Sequence, residues 1–322
     1  MASPNVSKYS HLIIGSGVFG ASTAYHLSKS HPTSKIALLD RSDSYPCPLA
    51  ASHDYNKIVR ADYGNQFYCS LALEAREAWK KEPLYKDLFH ESGMVVLDDT
   101  GLGRKITRNY DDLNAYSEAV VISPEDLKRR YEGLFKGADL NGIDEVFVNP
   151  LSGCVEATKA VKAVIEAAVS NGVEYIEGDV ATLTFDTNGD CAGVETKNGK
   201  TISADKIILS TGAGTQKLLA DSAPNRPELQ SEDRITAAAV ITGVVMLNQE
   251  QMKRFEKAPI FIHAGDVMGR CARSQLLFST EHFNRTSSST NPRRPSKILR
   301  RRQLQKHITA SKIRSNGVST PR

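Results

Sequence analysis

A glycine-rich turn between an apolar strand and a helix constrains the fold of this chain more than any other feature. The three glycines of its GxGxxG pattern are Gly15, Gly17 and Gly20. Residues 11–14 predict a buried strand before the turn, and residues 21–28 predict a helix after it. A second apolar strand, at 35–39, ends at Asp40. This order predicts an α/β fold that opens with a Rossmann-like nucleotide-binding unit.

Each part of the turn has a distinct expected task. Gly15 permits the tight turn, Gly17 lets backbone N–H groups approach a pyrophosphate, and Gly20 allows the helix to pack on the strand. Asp40 can accept hydrogen bonds from an adenosine ribose, which disfavours NADP but leaves FAD and NAD open. A glycine turn without a nucleotide is the alternative interpretation. The predicted cofactor-binding residues of this unit are Gly15, Ser16, Gly17, Val18, Phe19, Gly20, Asp40 and Arg41.

A polar segment with two cations, Lys57 and Arg60, follows the second strand. Its composition alone is typical of a solvated surface loop, in which Arg60 pairs with Asp62 or another acid. The order of its residues over 50–64, Ser-x-x-x-Asn-Lys-Ile-x-Arg-x-x-Tyr, instead resembles a pattern of fungal fructosyl amino acid oxidases and saccharopine oxidases. It is similar, more distantly, to monomeric sarcosine oxidase. The resemblance, to the glycine/D-amino-acid oxidase superfamily, covers 11–269.

The resemblance implies FAD as the cofactor and assigns roles within this segment. Ser52 and Asn56 would lie along the FAD, and Lys57 would sit over the flavin ring, where a cation stabilises developing negative charge. Arg60 and Tyr63 would face the substrate carboxylate, with the guanidinium suited to bidentate pairing. The catalytic residues that the resemblance implies are therefore Lys57, Arg60 and Tyr63.

Two further cofactor contacts come from the same resemblance. Val180 would touch the adenine through its backbone, although a core position in a β-meander is an equally good interpretation of that residue. Gly212 would form a small-residue turn against the cofactor. The implied FAD-binding domain is discontinuous, with an inserted mixed-sheet substrate domain that is incomplete. The expected boundaries are 1–60 and 155–215 for the FAD-binding domain and 61–154 and 216–269 for the substrate domain.

Periodicity and turn residues predict further elements along the chain. Apolar residues at helical spacing predict helices at 69–81, 124–131 and 157–171. Short β-branched runs, several of them separated by Asn-Gly turns, predict strands and a β-meander. The predicted strands are 93–97, 173–176, 180–185, 191–196, 201–204, 206–209, 237–247 and 259–263.

The charge of the chain changes sharply near residue 270. Residues 270–322 contain 13 lysines and arginines and one acid, Glu281, whereas residues 1–269 contain 28 basic and 36 acidic residues. No amphipathic face persists in the basic part, which predicts a disordered tail. A shifted reading frame or retained intron would produce such a change. A nucleic-acid-binding tail is the other explanation, although no Phe, Tyr or Trp interleaves the basic residues from Arg285 onward.

The expected reaction is oxidation of the CH–NH bond of an N-substituted amino acid, with a small-molecule amine and O2 as partners. Saccharopine, fructosyl amino acids, pipecolate and sarcosine all fit a carboxylate held by Arg60. The alternatives are an inactive remnant whose basic tail binds nucleic acid or acidic partners, and an NAD-dependent dehydrogenase. Five scattered cysteines predict neither a disulfide framework nor a metal site. We expect a cytoplasmic or peroxisomal monomer that binds neither membrane nor nucleic acid.

Overall fold

The computed structural model describes residues 8–238, 243–264 and 275–276 of the 322-residue chain. The strands in these ranges are β1 (Lys8–Ile14), β2 (Ile36–Asp40), β3 (Lys57–Val59), β4 (Phe89–His90), β5 (Met94–Asp98), β6 (Val120–Ile122), β7 (Glu145–Asn149), β8 (Gly153–Val155), β9 (Glu174–Glu177), β10 (Val180–Phe185), β11 (Cys191–Thr196), β12 (Thr201–Leu209), β13 (Ile260–Ala264) and β14 (Gln275–Leu276). The helices are α1 (Val18–Ser30), α2 (Gln66–Lys81), α3 (Leu102–Asp112), α4 (Pro124–Arg129), α5 (Ala157–Ser170), α6 (Thr215–Ser222) and α7 (Gln249–Phe255). No helix in the described ranges is long and apolar enough to span a bilayer.

The larger sheet joins four parallel strands to an antiparallel meander. Its order is β10-β11-β12-β1-β2-β9. Strands β12, β1, β2 and β9 are parallel to one another, whereas β11 is antiparallel to both of its neighbours, β10 and β12. Alternate residues of β1 face opposite sides of the sheet. Leu12 and Ile14 pack with Leu39 on one face. On the other face, Ile13 and Leu38 pack against α1 and α5. Both faces of the parallel part are therefore buried, as such sheets require.

A second, mixed sheet has the order β14-β13-β5-β7-β6. Only β13 and β5 run parallel among its described strands. Met94 and Val96 face α2 and α3, while Val95 and Leu97 face Leu127 of α4. A small antiparallel sheet, β3-β8-β4, carries the segment that follows β2. The strands of the two large sheets come from alternating stretches of the chain, 8–40 and 174–209 for the first and 94–149 and 260–276 for the second.

The predicted α/β fold with a mixed second sheet is confirmed, and so is the meander of β10, β11 and β12. Four details differ from the sequence expectation. The strands predicted at 201–204 and 206–209 form one strand, β12, because it pairs with β11 at its start and with β1 along its length. The strand predicted at 237–247 is wrong for its described residues, which lie outside helices and strands. Gln275–Leu276, expected to be disordered, pairs with β13. Several elements were not expected, namely helices α3, α6 and α7 and strands β3, β4, β6, β7 and β8.

Candidate functional site

The glycine turn lies between β1 and α1, where two of its glycines are required by packing. Gly15 has a φ of +98°, and a Cβ at this position would lie 2.4 Å from the backbone oxygen of Ser210. A Cβ at Gly20 would lie 1.8 Å from the oxygen of Gly15. A Cβ at Gly17, by contrast, would meet Ser52 Oγ only at 3.6 Å, an ordinary contact. Protein packing thus explains Gly15 and Gly20, whereas Gly17 leaves open space at the helix end.

The first turn of α1 presents free backbone donors at this open space. Gly17 precedes the helix, no described side chain caps it, and the first turn contains no acid. The first N–H groups of a helix have no intrahelical partners, and the helix dipole gives that end a partial positive charge. Val18 and Phe19 are both exposed, so solvent or a ligand can reach the turn. This helix end is therefore suited to bind an anion such as a phosphate.

Ser52 supplies an unbonded hydroxyl next to Gly17. The side chain is 9% exposed, and its Oγ has no hydrogen-bond partner among the described residues. An unsatisfied buried hydroxyl costs about 1–3 kcal/mol, so such groups in native proteins usually bind a ligand or water. The Ser52 hydroxyl and the helix end together fit the pyrophosphate of a dinucleotide.

Asp40 closes the other side of the turn at the carboxyl end of β2. Its Oδ2 accepts hydrogen bonds from the backbone N–H of Ser16 at 2.6 Å and from the Ser16 hydroxyl at 2.9 Å. Arg41 follows on the surface and lines an open pocket of about 440 Å³ with Cys47, Leu49 and Glu177 among its other walls. Ligands of open parallel sheets bind at this carboxyl edge.

Val180 and Gly212 lie on neighbouring parts of the same sheet. Val180 begins β10 and packs partly against the apolar cluster of β1 and β2, in agreement with its interpretation as a meander core residue. Gly212, with a φ of +52°, lies in a short turn after β12, and a Cβ there would meet nothing within 4 Å. Ser210, just before this turn, donates to Ile14. The turn at Gly212 therefore lies at the same carboxyl edge as the glycine turn.

The polar segment after Ser52 is ordered by β3 rather than being a free loop. Lys57 opens this strand opposite Val155 and forms an ion pair with Asp54. Asn56, just before it, is partly buried. The guanidinium of Arg60 lies 5.2 Å from the centre of the Tyr63 ring, within the range of a cation–π contact. The structure thus brings Arg60 and Tyr63 together.

Asp62 is a central residue of this segment that the sequence did not single out. It is 2% exposed and accepts hydrogen bonds from Ser152 Oγ at 2.5 Å, Asn149 Nδ2 at 2.7 Å and Tyr110 Oη at 3.0 Å. The suggested Arg60–Asp62 pair does not form among the described residues, and the hydrogen bonds that Asp62 accepts come from neutral donors instead. Burial, together with the charge of Asp62, raises the pKa of Tyr110 above its usual range. The network anchors the segment of Arg60 and Tyr63 to α3 and the end of β7.

The contacts of the described residues join Ser16 to Asp40 and bring Ser52 against Gly17. The family whose description reads "DAO: FAD dependent oxidoreductase" matches residues 11–300. The chain belongs to the DAO family. Membership decides between the two cofactors that the glycine turn left open, because this family is FAD-dependent. The match also extends past residue 269, where the motif resemblance stops. The disorder expected for 270–322, and both explanations of that basic tail, lie outside the described residues apart from 275–276.

Other members of the DAO family are similar over most of this chain. L-saccharopine oxidase of Schizosaccharomyces pombe is 28% identical over 265 residues, which cover 77% of this chain and 59% of that protein. Human peroxisomal sarcosine oxidase is 25% identical over 65% of this chain and 51% of its own length. The structure of fructosyl peptide oxidase from E. terrenum has the same fold, with a TM-score of 0.60 and 24% identity over 81% of this chain and 60% of that chain. The chain thus spans between half and three fifths of these relatives.

Proposed function

We propose that this protein is an FAD-dependent oxidase of the CH–NH bond of N-substituted amino acids. The observation that carries the proposal is the uncapped end of α1 beside the unbonded hydroxyl of Ser52, a site with donors on two sides and space at Gly17. Membership of an FAD-dependent family supports the same conclusion. Saccharopine, sarcosine and fructosyl peptides appear in the names of its relatives, and we infer a substrate of this class.

The cofactor-binding residues in this proposal divide into two groups. The turn from Gly15 to Gly20, with Ser52, holds the pyrophosphate through N–H and hydroxyl donors. Asp40 and Arg41 receive the adenosine half at the carboxyl edge of β2. The remaining cofactor contacts in this proposal come from Asn56, Lys57, Val180 and Gly212. When bound, FAD would supply a hydride acceptor for oxidation of the amine, with O2 as the final electron acceptor and hydrogen peroxide as the product.

Arg60 is the substrate-binding residue in this proposal. Its side chain is partly buried, it contacts the ring face of Tyr63, and it forms no ion pair with a described acid. A guanidinium in this state can bind a carboxylate through two parallel hydrogen bonds. Tyr63 limits the rotation of the guanidinium, and the Asp62 network fixes the backbone between the two residues. The Lys57 ammonium, which pairs with Asp54 in this structure, would exchange that partner for the flavin ring and supply positive charge for the reduced cofactor.

We assign the two large sheets to two functions. The first sheet and its helices, within 1–60 and 155–215, form the FAD-binding domain, and the second sheet, which apart from β14 lies within 61–154 and 216–269, forms the substrate domain. The separation of strands between the sheets supports this division. We further propose a monomer with a small amine and O2 as its partners. A peroxisomal or cytoplasmic location is proposed because one relative is named as peroxisomal.

An absorbance spectrum of the purified full chain tests the proposal. A flavin band, with flavin released on denaturation, is the expected result, and a saccharopine, sarcosine or fructosyl amino acid panel should then release peroxide. Gly17→Glu should lose the band because it places bulk and negative charge where phosphates must approach. Gly137→Glu is the matched control, since Gly137 is exposed and a Cβ there meets nothing within 4 Å. Affinity for NAD without flavin, or no binding of either, would refute the proposal.

A further inference from the structure

Helix α2 contains a buried arginine whose hydrogen bonds are not satisfied. Arg76 is 4% exposed, and its Nε and Nη1 have no hydrogen-bond partner among the described residues. Arginine remains charged in proteins, so it cannot escape this situation by losing a proton. Buried guanidinium groups are normally paired with a carboxylate or phosphate, because an unpaired buried charge is strongly unfavourable.

Asp62 is a buried acid that could pair with the Arg76 guanidinium, but it does not form this pair. Asp62 accepts hydrogen bonds from Tyr110 and Asn149 on Oδ1 and from Ser152 on Oδ2, and no hydrogen bond or ion pair joins it to Arg76 among the described residues. Asp62 and Arg76 act with opposite sign on Tyr110, since Asp62 raises and Arg76 lowers the pKa of that phenol while burial raises it most. The two charges therefore offset each other at a distance. Nε and Nη1 of Arg76 nevertheless lack a hydrogen-bond partner among the described residues.

A pocket of about 320 Å³ lies against Arg76. Leu73 and Leu151 provide apolar walls, and Ala115 and Tyr116 close the pocket from the loop after α3. The pocket shares no lining residue with the glycine turn or with Arg60 and Tyr63, so it is separate from the site described above.

Three charged residues besides Arg76 also line this pocket, namely Glu74, Glu77 and Lys80. Glu77 pairs with Lys81, and Lys80 pairs with Glu91, which neutralises both charges locally. Glu74 lines the same pocket but is exposed, so water screens its charge. The desolvated charge of the pocket is that of Arg76, and it is positive.

We propose that this pocket binds a small aliphatic carboxylate. The carboxylate accepts hydrogen bonds from the Arg76 guanidinium, and its alkyl part lies against Leu73 and Leu151. A ligand of this class satisfies the buried donors and covers the apolar walls at once, which neither water nor chloride does. The site is independent of the proposed oxidase reaction.

Thermal unfolding of the full chain in acetate, butyrate or chloride at equal ionic strength tests this site. Both carboxylates should raise Tm with saturation, butyrate at a lower concentration than acetate, because bound ligand stabilises the folded state. Arg76→Met and Arg76→Gln should lose the saturable rise. Arg108→Met, at an exposed arginine of α3, should keep it. An equal rise in chloride, a rise that persists without Arg76, or no rise in the wild type would overturn the proposal.

The same variants distinguish a ligand site from simple charge balance. Without carboxylate, Arg76→Met should leave Tm unchanged or raise it, because it removes an unbonded buried charge and keeps most of the side-chain volume. If Arg76 served only to balance Asp62, Arg76→Met would lower Tm and adding Asp62→Asn would restore it. That pattern would also overturn the proposal.

Discussion

Asp40 accepts two hydrogen bonds from Ser16 on a single carboxylate oxygen, one from the backbone N–H and one from the hydroxyl. The other oxygen of Asp40, Oδ1, takes no part in this contact. The acid at the end of β2 therefore fixes the glycine turn with Oδ2. We propose that Oδ1 accepts a hydrogen bond from the ribose of FAD, a task that does not compete with the first.

This division of tasks predicts unequal effects of two substitutions on FAD affinity. Ser16→Ala removes only the hydroxyl bond and keeps the backbone bond, so the Kd for FAD should rise by a factor of about three or less. Asp40→Ala removes the turn contact and the ribose acceptor together, and the Kd should rise about tenfold or more. Quenching of flavin fluorescence measures both values. Equal effects would mean that neither the backbone bond from Ser16 nor a ribose contact of Asp40 contributes to FAD affinity.

The glycines of the turn should separate stability from cofactor affinity. Gly20→Ala should lower the free energy of unfolding by at least about 2 kcal/mol, because its Cβ has no room beside Gly15. Gly17→Ala should change stability little, since its Cβ meets only an ordinary contact, but it should weaken FAD binding. Urea unfolding and FAD titration of both variants check the separation. A Gly17→Ala variant that is unstable yet binds FAD normally would contradict it.

Ser52→Ala should have opposite effects on the empty and the FAD-bound protein. Without FAD, the variant loses a buried unbonded hydroxyl, so its Tm should stay the same or rise. With FAD, it loses a donor to the cofactor, so affinity should fall and the Tm gain on adding FAD should shrink. Thermal unfolding with and without FAD measures both effects. A Ser52→Ala variant destabilised without FAD would show that the hydroxyl already has a partner in the protein.

Arg60→Met should weaken the reaction of amines that carry a carboxylate more than that of their amides. The loss for the carboxylate substrate should be about 2–5 kcal/mol in kcat/KM, because the substrate charge stays desolvated without its partner. Peroxide release from a matched acid and amide measures the difference. Arg108→Met serves again as the control for loss of an arginine. Equal losses on both substrates would make Arg60 a scaffold residue.

Asp98, at the end of β5, should stabilise the fold in a pH-dependent way. Burial alone would raise the pKa of Asp98, but hydrogen bonds from Gly103, Thr100 and Leu102 lower it below the usual 3.8. The ionised form is thus favoured by folding, and its contribution is present at neutral pH and lost as pH falls through the lowered folded-state pKa. Asp98→Asn should cost about 2 kcal/mol near pH 7.

The difference between wild type and Asp98→Asn should shrink at acidic pH, as measured by urea unfolding at about pH 7 and about pH 3. Asp99→Asn, at the exposed neighbouring acid, is the control and should have little effect at either pH. A constant difference between the two pH values would show that the charge of Asp98 does not matter.

The sequence predicted those elements whose own pattern decides their structure. The first sheet follows from runs such as 35–39, and α5 follows from a wide apolar face. Helix α3 was missed because its apolar stripe is narrow, with Leu102, Ile106 and Tyr110 at intervals of four among charged residues. That spacing is the signal that could have found it. Conversely, the strand predicted at 237–247 does not form among its described residues, where Val245 is strongly exposed. A high β-propensity alone does not produce a strand, because a strand also needs a neighbouring strand to pair with.

The candidate site likewise contains residues that the sequence predicted and one, Asp62, whose role it did not. Gly15, Gly17, Gly20 and Asp40 were found because a turn of this kind depends on residues close in sequence. The role of Asp62 was not found, because its donors lie 48 to 90 residues away and only the fold brings them together. Nothing in the sequence around Asn149 and Ser152 indicated that they bind Asp62.

Because the two sheets alternate along the chain, neighbouring strands of the first sheet are synthesised at widely separated times. β2 ends at Asp40, but β12, which covers the other edge of β1, begins at Thr201, about 160 residues later. At about 5–20 residues per second, the ribosome needs roughly 8–32 s to make that stretch. Throughout this interval the nascent chain carries an apolar parallel strand with one open edge. Any fragment released before Thr201 therefore emerges as a target for chaperones and aggregation.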